Sequence, residues 1–249
     1  MRRCLCGGLL ILTSCGGGET AIEPLSSQTV SVSLPPALPV NSPASTAPQA
    51  PPNPLGQNLA LSAAGWIAGP TINGFNRSVG TWLTDEENCL VVNIPSPNAE
   101  AGTANYITRY VGGLADASAI YIDFELVAPP GTKLLPRDGS NLPSLLTIYF
   151  QRTGDNWYAD AATETYRWWA SPKTVVDIQP GQRYRIRQRF DETWTAVLTS
   201  TSHTKPFEFA QARAYATQVG FTLGGGDGLG HGVYATNPAR IVVHEFRVE

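Results

Sequence analysis

Asp123 and Glu125 stand two residues apart in Tyr121-Ile122-Asp123-Phe124-Glu125, a segment of alternating apolar and polar side chains. In an extended strand, side chains at i and i+2 share a face. Two carboxyls placed in this way lie near the separation of about 5 Å that a retaining glycoside hydrolase needs for its acid/base couple, so both are weak candidates for catalysis. A second segment, Arg183 to Phe190, puts Arg183, Arg185, Arg187 and Arg189 on one side and Tyr184, Ile186 and Phe190 on the other. In a third, Leu146, Ile148 and Phe150 alternate with Thr147, Tyr149 and Gln151. One sheet is therefore expected to carry a polar surface of Tyr121, Asp123, Glu125, Tyr149, Gln151, Arg185 and Arg187. Such a surface suits carbohydrate, whose hydroxyls pair with planar guanidinium, carboxylate and amide groups and whose ring faces lie on aromatic platforms. The competing reading is that these charges neutralise one another across neighbouring strands of a solvated face.

Rings sharpen the choice. Gly154-Asp155-Asn156-Trp157-Tyr158 and Tyr166-Arg167-Trp168-Trp169 bring five large aromatic side chains into one region. Adjacent Trp168 and Trp169 in a strand point to opposite faces, so one is expected in the core and the other outside. Trp157, Trp168 and Trp169 make the candidate ligand platform, whereas Trp66, Trp82 and Trp194 read as core. The run Gly224-Gly225-Gly226-Asp227-Gly228-Leu229-Gly230-His231-Gly232 is a loop whose backbone must take positive φ or pass close to something. It puts Asp227 and His231 at the rim. The run lacks the spacing and the following helix of a dinucleotide fingerprint, and an Asp is missing at Gly230 for a calcium-binding nonapeptide. No metal-ligand spacing surrounds His203 or His244, which read as surface or strand-edge residues. Neither metal nor cofactor is expected.

The elements that must position these groups are β-strands. Segments of period two recur at Tyr106 to Val111, Ile120 to Val127, Leu145 to Arg152, Arg183 to Phe190, Trp194 to Thr199, Gln218 to Leu223 and Arg240 to Val248, separated by Gly, Pro, Asn and Asp clusters. Alanine-rich Phe207 to Ala216 predicts one short helix. The pattern predicts an all-β protein, a two-sheet antiparallel β-sandwich of jelly-roll type. The net charge of −3 and the low charged fraction of 15% leave no basic surplus for nucleic acid. Cys89, in Cys89-Leu90-Val91-Val92, reads as a buried, inert thiol.

At the N-terminus, Arg2 and Arg3 precede a short apolar run ending in Leu12-Thr13-Ser14-Cys15. The run is too short to span a bilayer and has the order of a secretory signal. The four residues resemble the lipobox of bacterial lipoproteins. That resemblance implies removal of residues 1–14 and lipidation of Cys15, which would tether the chain to a lipid bilayer, in the outer membrane of a Gram-negative envelope given Gly16 where a retention signal places Asp. Residues 15–58, rich in Pro, Ser and Ala, read as a lipidated cysteine followed by an extended linker. The β-sandwich domain is expected at 59–249.

Strand pattern and glycine-aromatic texture make the head resemble lectin-like and carbohydrate-binding-module sandwiches, including concanavalin-type jelly rolls. The resemblance implies a glycan ligand, and the arginine ladder an acidic polysaccharide. In laminarinase-type glycosidases of this fold, acids alternate as Glu-x-Asp-x-x-Glu; Tyr121 stands where the first would be. Two alternatives stay open: a polysaccharide-degrading enzyme, either a glycosidase using Asp123 and Glu125 or a lyase drawing on Arg187, Tyr149 and His231, and a non-catalytic envelope or adhesion protein.

Overall fold

Branched and aromatic residues at every second position give each long segment one apolar face, and two such faces closed on each other bury both. The structure, a computed structural model, describes residues 58–225 and 228–249. The expectations for residues 1–57, including Cys15, the lipobox and the proline-rich segment, fall outside them, as does Asp227.

In chain order the strands are β1 (Ile67–Gly69), β2 (Thr71–Ile72), β3 (Phe75–Asn76), β4 (Trp82–Glu86), β5 (Cys89–Ile94) and β6 (Tyr106–Tyr110). There follow β7 (Ala119–Val127), β8 (Leu134–Pro136), β9 (Ser144–Arg152), β10 (Arg167–Trp169), β11 (Val175–Val176) and β12 (Arg183–Arg189). The last third holds β13 (Thr195–Ala196), the helix α1 (Pro206–Ala214), β14 (Ala216–Gly225), β15 (Val233–Ala235) and β16 (Ala239–Val248). One sheet runs β12-β7-β16-β5-β4; the other runs β1-β6-β14-β9-β10-β13, with β11 also paired to β9. Every pairing within these two sheets is antiparallel. The chain passes repeatedly from one sheet to the other, which is the jelly-roll sandwich that the strand pattern predicts.

The core lies between the sheets. Ile120, Ile122, Phe124 and Leu126 of β7 are fully buried, as are Leu146, Ile148 and Phe150 of β9 facing them. Phe150 stacks edge-on against Phe190 and Trp194 at 5.7 and 5.2 Å and lies 5.9 Å from Phe209 of α1. The helix therefore plugs one end of the sandwich. Two expectations fail here. Trp194 to Thr199 is not a full strand, because the chain turns after Ala196 and Thr199 adopts φ 72°. Trp82 is 57% exposed, since it sits on the outward parity of the edge strand β4.

Tyr149, Thr147 and Gln151, on the outward parity of β9, are buried all the same. A third layer of loops covers that face of the seven-stranded sheet, so alternation there separates two interiors rather than inside from water. Replacing Phe150 by Ala is expected to cost about 3–5 kcal/mol of stability, measured as a lowered denaturant midpoint with unchanged slope.

Candidate functional site

The covered face of the seven-stranded sheet is built around β10. Parity sends Trp168 inward, where its ring meets Phe209 at 4.9 Å and its indole N–H donates to the Thr165 carbonyl at 2.7 Å. Arg167 and Trp169 point outward, paired in register with Gln151 and Tyr149. The Arg167 guanidinium lies 4.8 Å from the Trp157 ring, 5.4 Å from Trp169 and 5.8 Å from Tyr106. Its Nε and Nη2 donate to both oxygens of Asp155, at 2.9 and 3.3 Å, and its Nη1 to the Tyr106 hydroxyl at 3.3 Å. Asp155 also accepts the Trp157 backbone N–H at 2.8 Å. This closes a short turn that holds Trp157 at φ 67°. Burial pushes the Asp155 carboxyl above its ordinary range against the pull of Arg167. Burial likewise raises the Tyr106 hydroxyl, keeping it protonated. Tyr106 meets Tyr149 and Trp157 edge-on at 4.8 and 5.0 Å.

Over this stack opens a cleft of about 760 Å³ lined in part by Arg77, Arg137, Asp138, Trp157, Leu229 and His231. The hairpin β2–β3 turns through Asn73-Gly74, both at positive φ as a two-residue hairpin loop of the Asn-Gly kind requires, and it sets Ile72 and Arg77 in the wall. On the opposite rim Gly230, at φ +75°, presses its backbone on Tyr106; a Cβ there would lie 2.2 Å from the phenolic oxygen. The glycine-rich loop thus meets both demands read from its sequence, positive φ and close approach. Arg77 and Arg137 make no side-chain hydrogen bond or ion pair among the described residues. Two buried polar atoms of the lining residues, Asn105 Oδ1 and Trp169 Nε1, have no hydrogen-bond partner there.

The sequence reading joined in one surface what the fold divides between two sheets. Trp157, Trp169 and His231 line the cleft. Tyr149 and Gln151 lie beneath it, 0% and 4% exposed, and Trp168 is in the core. Tyr121, Asp123, Glu125, Arg185 and Arg187 lie on the outer face of the five-stranded sheet, across the sandwich. The expected arginine ladder is locked against acids. Arg183 and Arg185 donate to Asp123 at 2.6 and 2.9 Å, Arg187 to Glu249 at 2.6 Å, and Arg189 to Asp191. The Tyr121 ring lies under Arg247 at 4.3 Å. Asp123 is nearly buried, which alone would raise its pKa, yet the bonds from Arg183 and Arg185 outweigh burial and hold the carboxyl below its usual range. A carboxylate held ionised in this way is unsuited to donating a proton as the general acid of a hydrolase.

Several cleft residues went unread in the sequence. Arg167 follows from the parity that places Trp169 outward, two residues on in the same strand, whereas Tyr106 of β6 is brought to the cleft by the pairing of its strand. Arg77 was signalled by the Asn73-Gly74 turn before it, and Arg137 by no local pattern. Among the described residues, no group of three or more His, Cys, Asp and Glu side chains is placed to hold a metal ion.

No family model matches the chain, and no curated protein matches it. Among solved structures the chain is similar to a carbohydrate-binding module specific for non-crystalline cellulose, with 13% identity and a TM-score of 0.42 over 79% of this chain and 96% of that one. It is also similar to a carbohydrate-binding module described by its specific mannan recognition, at 13% identity and a TM-score of 0.39 over 78% and 98% of the two chains.

Because the folded-state pKa of Asp123 is depressed, its pairing stabilises the fold fully above the unfolded value of about 3.9 and is lost as pH falls through the folded one. Asp123→Asn is therefore expected to cost about 1–3 kcal/mol at pH 7. The gap from the wild-type chain should narrow as pH falls below the unfolded value and close once pH has passed through the folded one, as read by chemical denaturation across pH.

Proposed function

We propose that the cleft on the seven-stranded sheet binds a polysaccharide, and that the chain is a binding protein of the cell envelope. One observation carries the reading: a half-buried indole, Trp157, is held against the buried Arg167–Asp155 pair in the wall of a cleft of ligand size, with Arg77 and Arg137, which make no ion pair among the described residues, on its rim. Trp157 offers an apolar platform for a sugar face, backed by Trp169 and Tyr106, which are buried although one of Trp168 and Trp169 was expected outside, and Asn105, Asp138 and His231 add polar groups around it. With Arg77 and Arg137 set against one carboxylate, the described lining favours an acidic polysaccharide carrying carboxylates or sulfates. The preference for acid thus rests on these two residues instead of the neutralised ladder.

Binding is favoured over hydrolysis by the same inventory. Asp138 is the sole carboxylate among the described lining residues, and acid/base cleavage of a glycosidic bond takes two flanking carboxyls. Attachment to the envelope is supported by the lipobox-like Leu12-Thr13-Ser14-Cys15. The proline-rich residues that follow would let the head work on the order of 100 Å from a membrane if fully extended.

Trp157→Ala is expected to weaken retention on an acidic polysaccharide about tenfold, the equivalent of one stacking contact of about 1.4 kcal/mol. The double change Arg77→Ala with Arg137→Ala should abolish the preference for acidic over neutral glycans in affinity electrophoresis, while Arg187→Ala leaves retention unchanged. Absence of retention across a broad glycan panel would sink the reading. Cys15→Ser should move the protein from the membrane fraction to the soluble one and remove incorporation of labelled palmitate; a membrane-bound variant would contradict the anchor.

A further inference from the structure

Across the sandwich from the cleft, three chemically active side chains meet on adjacent strands. Cys89 opens β5, His244 lies on β16 and Glu125 on β7, and β16 runs between the other two. Cys89 Sγ is 3.4 Å from His244 Nδ1, and His244 Nε2 is 3.0 Å from Glu125 Oε1. Cys89 is not buried as expected, and His244, expected at the surface or a strand edge, is partly exposed but not at an edge. The thiol is partly exposed, because Cys89 is on the outward parity opposite Leu90 and Val92, and His244 belongs to the central strand of its sheet. The register between β16 and β7 slips between Val243 and Glu245, so His244 is the extra residue of a β-bulge. Bulges re-aim a side chain and collect beside reactive sites; this one turns the imidazole into the gap between thiol and carboxylate.

We propose that Cys89, His244 and Glu125 form a nucleophilic thiol site that exchanges with disulfides. Glu125, accepting from Nε2–H, fixes the tautomer that leaves Nδ1 as acceptor toward the thiol. As a disulfide R–S–S–R approaches, Nδ1 takes the Cys89 proton and Sγ attacks one sulfur. A Cys89–S–S–R bond forms and the original S–S bond breaks, its electron pair leaving on the second sulfur, which takes the proton back from His244. Cys89 is oxidised and the departing thiol reduced, so the disulfide is the only co-reactant. A hollow of about 540 Å³ lined by Asp85, Asn88, His244 and Glu245 adjoins the site and gives room for the small R group.

The surroundings require a base. Burial, then the charges of Glu87, Glu125 and Glu86, push the Cys89 thiol above its ordinary value, and Arg183 pulls the other way. Glu86 is engaged by Arg240 of β16, and Asp123 by Arg183 and Arg185 of β12; Glu245 of β16 is bound by Arg247. The sulfur therefore rests as a thiol, and its reactivity depends on proton removal by the imidazole during attack.

The test treats the full chain with bis(2-hydroxyethyl) disulfide and follows the mixed disulfide on the Cys89 peptide by mass spectrometry, which separates it from Cys4, Cys6 and Cys15. His244→Gln is expected to slow modification at least about tenfold at pH 7, within the range that a positioned base contributes. Glu125→Gln should slow it less, since the imidazole keeps its place but loses the carboxylate that fixes its tautomer. The wild-type chain, which needs no variant to fold, should react more slowly in deuterium oxide than in water, because the thiol proton is in transfer to His244 during the attack. A His244→Gln chain reacting within twofold of wild type, or a wild-type rate that is no slower in deuterium oxide, would overturn the proposal.

Discussion

The candidate site depends on the Arg167–Asp155 pair. Their side chains are 6% and 1% exposed, so the two charges are taken out of water, and removing either partner alone would leave an uncompensated buried charge at a cost of about 3–5 kcal/mol. The geometry answers that desolvation through several contacts at once. Asp155 accepts both guanidinium bonds and a backbone N–H, while the faces of Trp157, Trp169 and Tyr106 lie within 6 Å of the cation. Because Asp155 also closes the turn that places Trp157, one ion pair ties the 154–160 loop to the sheet. Moving that loop away from the sheet would break a buried salt bridge.

That tie explains why the outward face of β9 is not a surface. In a two-layer sandwich Thr147, Tyr149 and Gln151 would meet water, and polar or amphipathic residues suit that place. Here Tyr106 and Tyr149, with Trp169, form a second small apolar cluster, closed by Trp157, Val197 and Leu229 from the loops. The glycine loop can close down on Tyr106 because Gly230 has no side chain to collide with the ring. Local composition and tertiary cover agree, but only the second decides exposure.

The fold was largely legible because period-two alternation is a local property. Strands β6, β7, β9, β12, β14 and β16 and the core residues of β7 and β9 follow from it, whereas β5, an apolar run without that alternation, does not. The site was legible only in pieces. Parity assigns a side chain to one of two faces of its own strand, yet says nothing of which sheet that strand joins. Arg185 and Trp169 were therefore grouped although a whole core separates them. Trp82 shows the same limit from the other side: an indole in a strand reads as core, and only its place on the edge strand and its parity expose it. The helix was recovered from alanine content, with ends displaced by two residues at most from Phe207–Ala216.

The two outer faces of the sandwich differ in how they spend charge. On the five-stranded sheet nearly every guanidinium has a carboxylate within reach: Arg183 and Arg185 on Asp123, Arg187 on Glu249, Arg240 on Glu86, and Arg247 on Glu245 and Glu249. Such a face has little left with which to attract an anion, since any ligand must first displace a paired acid. It is well suited to something else. A lattice of neutralised charges fixes side-chain directions across neighbouring strands, and within it the bulge at His244 can hold an imidazole between a thiol and a carboxylate without a loop to carry them. The cleft side works in the opposite sense: one ion pair is sunk into the wall as structure, and Arg77 and Arg137 make no ion pair among the described residues. A chain with a net charge of only −3 can thus carry more guanidinium than carboxylate in the described lining of one cleft, because the balance that matters to a ligand is struck face by face and not over the whole molecule.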